Sequence, residues 1–157
     1  MFYKMIENKC KEWYSSDQCT VRNLIEYIEK TGQMRDAQIE AIKVYLFLKI
    51  GCECKPLEFL FRYGCFNSIN LNDIELSTAT REYLEENPAA TALFEYSRLT
   101  NDKGEQVSEK LEKQIKKDPS SIDYDAFFRT AFYGVSYTDY LFSLPMGAGK
   151  TYLMAAF

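Results

Sequence analysis

The residues best suited to chemistry form a short glycine-rich run near the end of the sequence. Gly147, Ala148, Gly149, Lys150 and Thr151 follow one another directly. Glycines let successive backbone N–H groups turn towards an anion, and the N-terminus of a following helix adds its positive dipole. A lysine at this place neutralises the outer phosphates, and a threonine hydroxyl can bind the Mg²⁺ that bridges them. The run therefore predicts a phosphate-binding loop.

The surrounding residues determine which form of the motif is present. The general pattern G-x-x-x-x-G-K-[ST] requires a glycine five positions before Gly149, where Leu144 stands. The chain instead carries G-x-G-K-T shortly after a β-prone apolar run at residues 140–144. This order predicts a strand, a glycine loop and the start of a helix. A glycine turn with a surface lysine is the alternative interpretation.

The composition excludes several other kinds of chemistry. The 157 residues include no histidine, so the usual general base and every Ser–His or Cys–His nucleophile pair are missing. The five cysteines are odd in number and widely spaced: they are Cys10, Cys19, Cys52, Cys54 and Cys65. We expect reduced thiols here, rather than a disulfide framework or a zinc site.

Charge and hydropathy restrict the partners. Lys and Arg total 19 against 23 for Asp and Glu, which is too acidic for coating DNA or an anionic membrane by bulk charge. Any nucleic-acid contact is therefore expected to be local. The sequence starts without an apolar run typical of a signal peptide, and its densest apolar stretch, Val44 to Leu48, is far shorter than the roughly 20 residues of a membrane span. We expect a cytoplasmic protein with no membrane partner.

Apolar positions recur three and four residues apart over most of the chain, which predicts a mainly α fold. The helices are predicted over about 2–14, 20–31, 35–50, 56–63, 78–86, 88 onwards, 104–117 and 123–133. Gly32 is predicted to end the second helix as a left-handed cap. Because Val44 to Leu48 is apolar nearly all round, 35–50 is predicted to be the core helix.

Two sets of side chains bear on nucleic-acid binding. Phe61 and Tyr63 flank Arg62 and could stack on bases, but aromatic residues at helical spacing favour core packing. The lysines at 110, 113, 116 and 117 form a stripe that the glutamates at 105, 109 and 112 largely cancel. Glu109–Lys113 and Glu112–Lys116 have helical ion-pair spacing. We expect these charges to form a solvated face.

The segment Leu141 to Thr151, LFSLPMGAGKT, resembles motif I of the superfamily 2 helicases, in particular the DEAD/DEAH-box helicases related to the restriction subunits of type III restriction enzymes. Residues 34–42, MRDAQIEAI, are similar to the R-x-x-Q-x-x-A-I segment that precedes motif I in those proteins. In that family the glutamine reads adenine. The resemblance thus implies that Gln38 contacts adenine, with Arg35 as its neighbour. Two polar positions near a helix start are the alternative interpretation.

The resemblance also implies a domain organisation and partners. Residues 1–118, with the segment 34–42, would form a helical accessory domain. Residues 119–157 would supply the first strand, the phosphate loop and the start of the first helix of an incomplete RecA-like α/β domain. The cofactors would be ATP and Mg²⁺. The partners would be nucleic acid, with DNA the first expectation, and a methyltransferase or another defence-system subunit. Gln38 lies 109 residues before Gly147, so a large helical insertion is expected.

The activity of the chain by itself is limited by a missing acid. An ATPase of this class needs a Walker-B carboxylate at a strand end, and no apolar run in the sequence is followed by Asp-Glu. We therefore predict the N-terminal part of a longer ATP-dependent helicase or translocase, whose first 157 residues alone do not hydrolyse ATP. The alternative is a stand-alone helical module that binds protein or DNA and carries a vestigial phosphate loop.

Overall fold

The computed structural model describes residues 2–101 and 103–133. Within these ranges the chain is mainly helical, which confirms the predicted class for this part of the sequence. The chain divides into two compact units: residues 2–9 and 56–133 belong to the larger unit, and Cys10–Lys55 belong to the smaller one. Among the described residues, no helix is both long enough and apolar enough to cross a membrane.

The smaller unit is built from three α-helices and a π-helix. These are α1 (Phe2–Ser15), of which residues 10–15 belong to this unit, α2 (Arg22–Thr31), α3 (Asp36–Leu46) and the π-helix Phe47–Gly51. Ile25 of α2 and Ile39 and Ile42 of α3 are buried. The ring of Trp13 is also buried and lies 5.6 Å from the ring of Phe47. These apolar side chains form the core of the unit.

The end of α2 differs from the prediction. Gly32 has φ −79°, and its N–H donates to the carbonyl oxygen of Ile28 at 2.8 Å. The helical hydrogen bonding therefore runs through the glycine, and the left-handed residue is Gln33, with φ 48°. The predicted left-handed cap at Gly32 is wrong, since the chain reverses one residue later.

The larger unit surrounds one buried helix. Its helices are α4 (Leu57–Arg62), α5 (Thr78–Glu86), α6 (Pro88–Arg98), α7 (Glu109–Lys117) and α8 (Tyr124–Ala131), together with residues 2–9 of α1. Eight of the eleven residues of α6 are buried, and α4, α5, α7 and α8 all pack against it. In the smaller unit, Tyr45 and Leu46 are only half-buried. The enclosed helix of the larger unit is thus α6, while in the smaller unit the predicted stretch 44–48 is buried at Val44, Phe47 and Leu48.

Local capping explains where several helices begin. Asn87 accepts a hydrogen bond from the N–H of Ala90 at 3.2 Å, ahead of Pro88 in the first turn of α6. Ser77 caps α5 by accepting from Thr80 N at 3.1 Å. Both starts agree with the prediction. Gly64, with φ 69°, follows α4 as expected for a helix stop.

The seventh helix begins later than predicted. Asn101 N donates to the carbonyl oxygen of Glu105 at 2.8 Å, and Val107 N donates to that of Leu99 at 2.8 Å. These bonds hold residues 101 and 103–107 in a turn, so α7 starts only at Glu109, after the cap formed by Ser108. The predicted helix over 104–117 is therefore five residues too long at its start.

The predicted boundary at 118 falls in a 3₁₀ turn. Asp118 caps the turn Pro119–Ser121 by accepting from Ser120 N at 3.1 Å. Tyr124 donates its hydroxyl to the carbonyl oxygen of Pro119 at 2.6 Å, and α8 packs against α4 and α6. Among the described residues α8 thus belongs to the larger unit, while the division into domains 1–118 and 119–157 stays a prediction.

Candidate functional site

The residues of the predicted phosphate loop lie outside the described part of the chain. They are Gly147, Ala148, Gly149, Lys150 and Thr151, and the predicted strand at 140–144 lies outside it as well. The phosphate loop, the Mg²⁺ contact of Thr151 and the strand therefore stay predictions from the sequence.

Gln38 and Arg35 meet at the first turn of α3. Arg35 is the residue before the helix, with φ −80° and ψ 154°. The side-chain carbonyl oxygen Oε1 of Gln38 accepts a hydrogen bond from the backbone N–H of Arg35 at 2.8 Å. Glutamine at the third helical position often returns to the backbone in this way, because the first N–H groups of a helix lack partners inside it. Gln38 is 2 % exposed, whereas Arg35 is exposed.

This geometry bears on the predicted adenine contact. An amide that recognises adenine accepts from its N6 amino group through oxygen and donates to N7 through nitrogen. The side-chain oxygen of Gln38 has two lone pairs, so it can accept a second hydrogen bond besides the one from Arg35. Burial is the stronger restriction, since a base cannot reach a side chain that is 2 % exposed. In this structure Gln38 is a helix cap, and its contact with adenine stays a prediction.

Three buried thiols belong to the smaller unit: Cys10, Cys19 and Cys52. Burial raises the pKa of Cys10 to about 12, with Glu40 adding to the rise and Lys43 opposing it. A thiol in such surroundings stays protonated and is a poor nucleophile. None of the five cysteines forms a disulfide. In the described ranges, no three side chains of the His, Cys, Asp and Glu types are grouped to hold a metal ion.

Sequence reasoning did not find a small polar pocket at the turn between α1 and α2. Its volume is about 160 Å³, and Asp17, Cys19, Thr20, Arg22 and Asn23 line it. The guanidinium of Arg22 donates to the carbonyl oxygen of Tyr14 at 3.0 Å and to that of Ser16. The arginine thus fixes the end of α1. Scattered polar residues in a turn carry no periodic signal, which is why no pattern indicated this pocket.

The aromatic residues of α4 divide between core and surface. Phe61 is 0 % exposed, which confirms the expected packing role and removes its ring from any base. Tyr63 is 63 % exposed, and its ring stacks on that of Phe59 with 4.3 Å between centroids. Arg62 donates to Asp125 at 2.6 Å and to Glu58 at 3.2 Å. Arg62, which stands between Phe61 and Tyr63 in the sequence, is therefore already paired with carboxylates.

One charged side chain of α7, that of Glu112, is largely shielded from solvent. The predicted pairs Glu109–Lys113, at 3.2 Å, and Glu112–Lys116, at 2.9 Å, are confirmed. The side chain of Glu112 is only 13 % exposed, so the expectation of a fully solvated face is wrong for this residue. Glu112 also accepts hydrogen bonds from Gln106 and from Arg98.

The pKa of Glu112 reflects these contacts. Burial acts to raise it, but the hydrogen bonds from Lys116 and Gln106, together with the charges of Lys116 and Arg98, outweigh burial and lower the pKa below its ordinary value of 4.5. The carboxylate joins α7 to α6 through Arg98. Its place is structural, since Arg98 joins it to α6, Gln106 joins it to the turn before α7, and Lys116 pairs with it on α7 itself.

Comparison with models of protein families, with curated proteins and with solved structures gives no match to this chain.

Proposed function

We propose that this chain is the N-terminal part of an ATP-dependent DNA helicase or translocase of the DEAD/DEAH-box type, related to the restriction subunits of type III restriction enzymes. The observation that carries the proposal is the sequence run from Gly147 to Thr151, which follows the β-prone residues 140–144 after Pro145 and Met146. Backbone N–H groups of Gly147, Ala148 and Gly149 would hold the phosphates of ATP. Lys150 would neutralise them, and Thr151 would bind Mg²⁺.

The rest of the chain takes a supporting role in this proposal. Gln38, with Arg35 beside it, would recognise adenine, and the helices of residues 1–118 would form an accessory domain. Residues 119–157 would open a RecA-like domain with its first strand and phosphate loop. The whole protein would act on DNA in the cytoplasm, with a methyltransferase or another defence-system subunit as a partner.

The first experiment is the intact mass of the native polypeptide. An antibody raised against these 157 residues would capture it from source cells for mass spectrometry. We expect a mass several times 18.3 kDa, because a complete helicase core requires the acid of motif II and further strands. A native mass near 18.3 kDa would contradict the proposal.

The second experiment measures nucleotide binding by the complete gene product. A fluorescent ATP analogue is titrated with Mg²⁺ present against the wild type and Lys150→Ala. Loss of a charge-assisted contact to phosphate should weaken binding by about tenfold or more. Lys117→Ala, an exposed lysine of α7, is the control and should bind as the wild type does. Equal binding by Lys150→Ala and wild type would contradict the phosphate loop.

The isolated 157-residue chain provides a separate test. We expect no ATP turnover from it, because it has no Walker-B acid. Metal-dependent turnover that Lys150→Ala abolishes would show this expectation to be wrong.

A stand-alone helical interaction module is the second candidate. Exposed apolar side chains favour it: Leu24 and Tyr27 lie three residues apart on α2, and Phe59 and Tyr63 stack on α4. Exposed apolar groups of this kind occur at protein–protein contacts. A native mass near 18.3 kDa, together with ATP binding that does not depend on Lys150, would favour this candidate over the helicase.

A further inference from the structure

We propose that Cys54 and Cys52 form a redox pair: a small-molecule disulfide such as oxidised glutathione reacts at Cys54, and Cys52 then closes a disulfide within the chain. Both residues belong to the smaller unit and follow the π-helix Phe47–Gly51. The inference goes beyond the proposed function and does not depend on it, because every residue that it uses lies in the smaller unit.

The two cysteines belong to a single tight turn. Lys55 N donates to the carbonyl oxygen of Cys52 at 3.0 Å, which closes the turn, and its central residues Glu53 and Cys54 have φ 55° and φ 57°. Residues other than glycine rarely adopt this left-handed region, and such outliers concentrate at functional sites. With Cα steps of about 3.8 Å, a left-handed residue between the two cysteines brings their Cα atoms to about 5.5 Å. That separation lies within the range of about 4.4–6.8 Å that a disulfide requires.

The burial of the two thiols assigns their roles. Cys54 is exposed, and its thiol donates to the carbonyl oxygen of Lys49 at 3.4 Å. Cys52 is only 8 % exposed. A dissolved disulfide can therefore reach Cys54 first, and Cys52 is left to resolve the mixed disulfide. Cys10 is a poor competitor, because burial raises its pKa to about 12 and the thiolate is the species that attacks.

The chemistry consists of two thiol–disulfide exchanges. The thiolate of Cys54 bonds to one sulfur of oxidised glutathione and expels the other half as a thiolate, which takes up the proton that Cys54 lost. The thiolate of Cys52 then bonds to the sulfur of Cys54 and expels the second glutathione in the same way. The chain loses two electrons and two protons, and one oxidised glutathione becomes two reduced molecules.

Oxidation should loosen the end of the π-helix. The thiol of Cys54 must leave the carbonyl oxygen of Lys49, and the buried side chain of Cys52 must turn towards it. The backbone N–H of Cys54 also donates to the carbonyl oxygen of Leu48 at 3.2 Å, so a shift of the turn reaches the helix itself. A disulfide in so small a ring is strained and easily reduced. An excess of reduced glutathione therefore keeps both thiols in the form that the structure describes.

The test uses the 157-residue chain with Cys65→Ser, since Cys65 is an exposed thiol of the larger unit and would react by itself. The folded chain is incubated with oxidised glutathione, the remaining thiols are blocked with iodoacetamide, and the intact mass and a peptide map are recorded. We expect loss of two hydrogen atoms, no bound glutathione, and a disulfide between Cys52 and Cys54. Adding Cys52→Ser should stop the reaction with one glutathione on Cys54, whereas adding Cys54→Ser should leave the chain reduced.

Three results would each overturn the redox pair: a chain that stays reduced, a lasting mixed disulfide at Cys54 while Cys52 is present, or a disulfide from Cys52 to Cys10 or Cys19. The peptide map of the chain that keeps both cysteines decides the matter even if Cys52→Ser does not fold. Hydrogen exchange of the amides over residues 47–55 should become faster on oxidation and return when dithiothreitol is added. Disulfide formation with unchanged exchange there would overturn the loosening of the π-helix.

Discussion

Replacing Phe61 by alanine tests whether the aromatic residues of α4 serve the core. Phe61 is 0 % exposed, and its ring centroid lies 4.9 Å from that of Phe2, 4.7 Å from Phe66, 5.8 Å from Phe128 and 5.2 Å from Phe132. Phe→Ala at such a site loses both the transfer free energy of the ring and the contacts around the cavity, about 3–5 kcal/mol in all. Since whole domains are stable by about 5–15 kcal/mol, this is a large fraction of the total.

The assay is urea unfolding followed by far-UV circular dichroism. With a slope of about 2 kcal/mol per molar urea, a loss of about 4 kcal/mol lowers the midpoint by roughly 2 M. Tyr63→Ala is the matched control on the same helix: it removes a ring that is 63 % exposed and should change the free energy of unfolding by about 0.5 kcal/mol or less. If Phe61→Ala does not fold, Phe61→Leu should still lose about 1.5 kcal/mol. Equal midpoints for the Phe61 and Tyr63 variants would refute the packing argument.

Three further predictions concern charge, thiols and capping. The pKa of Glu112 is lowered on folding, so its contribution to the stability of the folded state is complete above about pH 4.5 and is lost as the pH falls through the folded pKa. Glu112→Gln should therefore flatten the fall in thermal stability below about pH 4.5. An unchanged pH dependence of the melting temperature in this range would contradict the argument. Iodoacetamide should alkylate exposed Cys54 well before Cys10, which is buried with a pKa of about 12; peptide mass spectrometry would show the order, and labelling of Cys10 first would count against the structure. Asn87→Ala should lower the free energy of unfolding, measured by thermal melts, by about 1 kcal/mol. A substitution at the exposed Thr130 is the control and should leave the free energy of unfolding unchanged.

The parts of the fold that follow from local chemistry could be predicted from the sequence. Ser77 marks the start of α5 and the pair Asn87-Pro88 marks the start of α6, because a side-chain oxygen there satisfies N–H groups that the helix cannot. The ion pairs of α7 follow from helical spacing alone. These signals involve residues close in sequence, so no tertiary contact is needed to interpret them.

The parts that depend on distant contacts could not be predicted in this way. The alanines and threonine at the start of α6 carry no strong apolar periodicity, and the helix is enclosed only because four others pack around it. The burial of Glu112 depends on Arg98 and Gln106, which approach it from another helix and a turn. For Gln38, the resemblance implied an adenine contact and the alternative was a polar position near a helix start, whereas the structure describes a helix cap.

The fluorescence of the single tryptophan reports on the smaller unit alone. Trp13 is the only tryptophan of the chain, and a Cβ on Gly51 would lie 3.0 Å from its indole nitrogen. That nitrogen is buried and has no hydrogen-bond partner in the described ranges. Its emission should therefore be blue-shifted and should report on residues 10–55, whereas circular dichroism records the helices of both units. Two coincident unfolding transitions would show one cooperative protein, and two separate transitions would give each unit a free energy of its own.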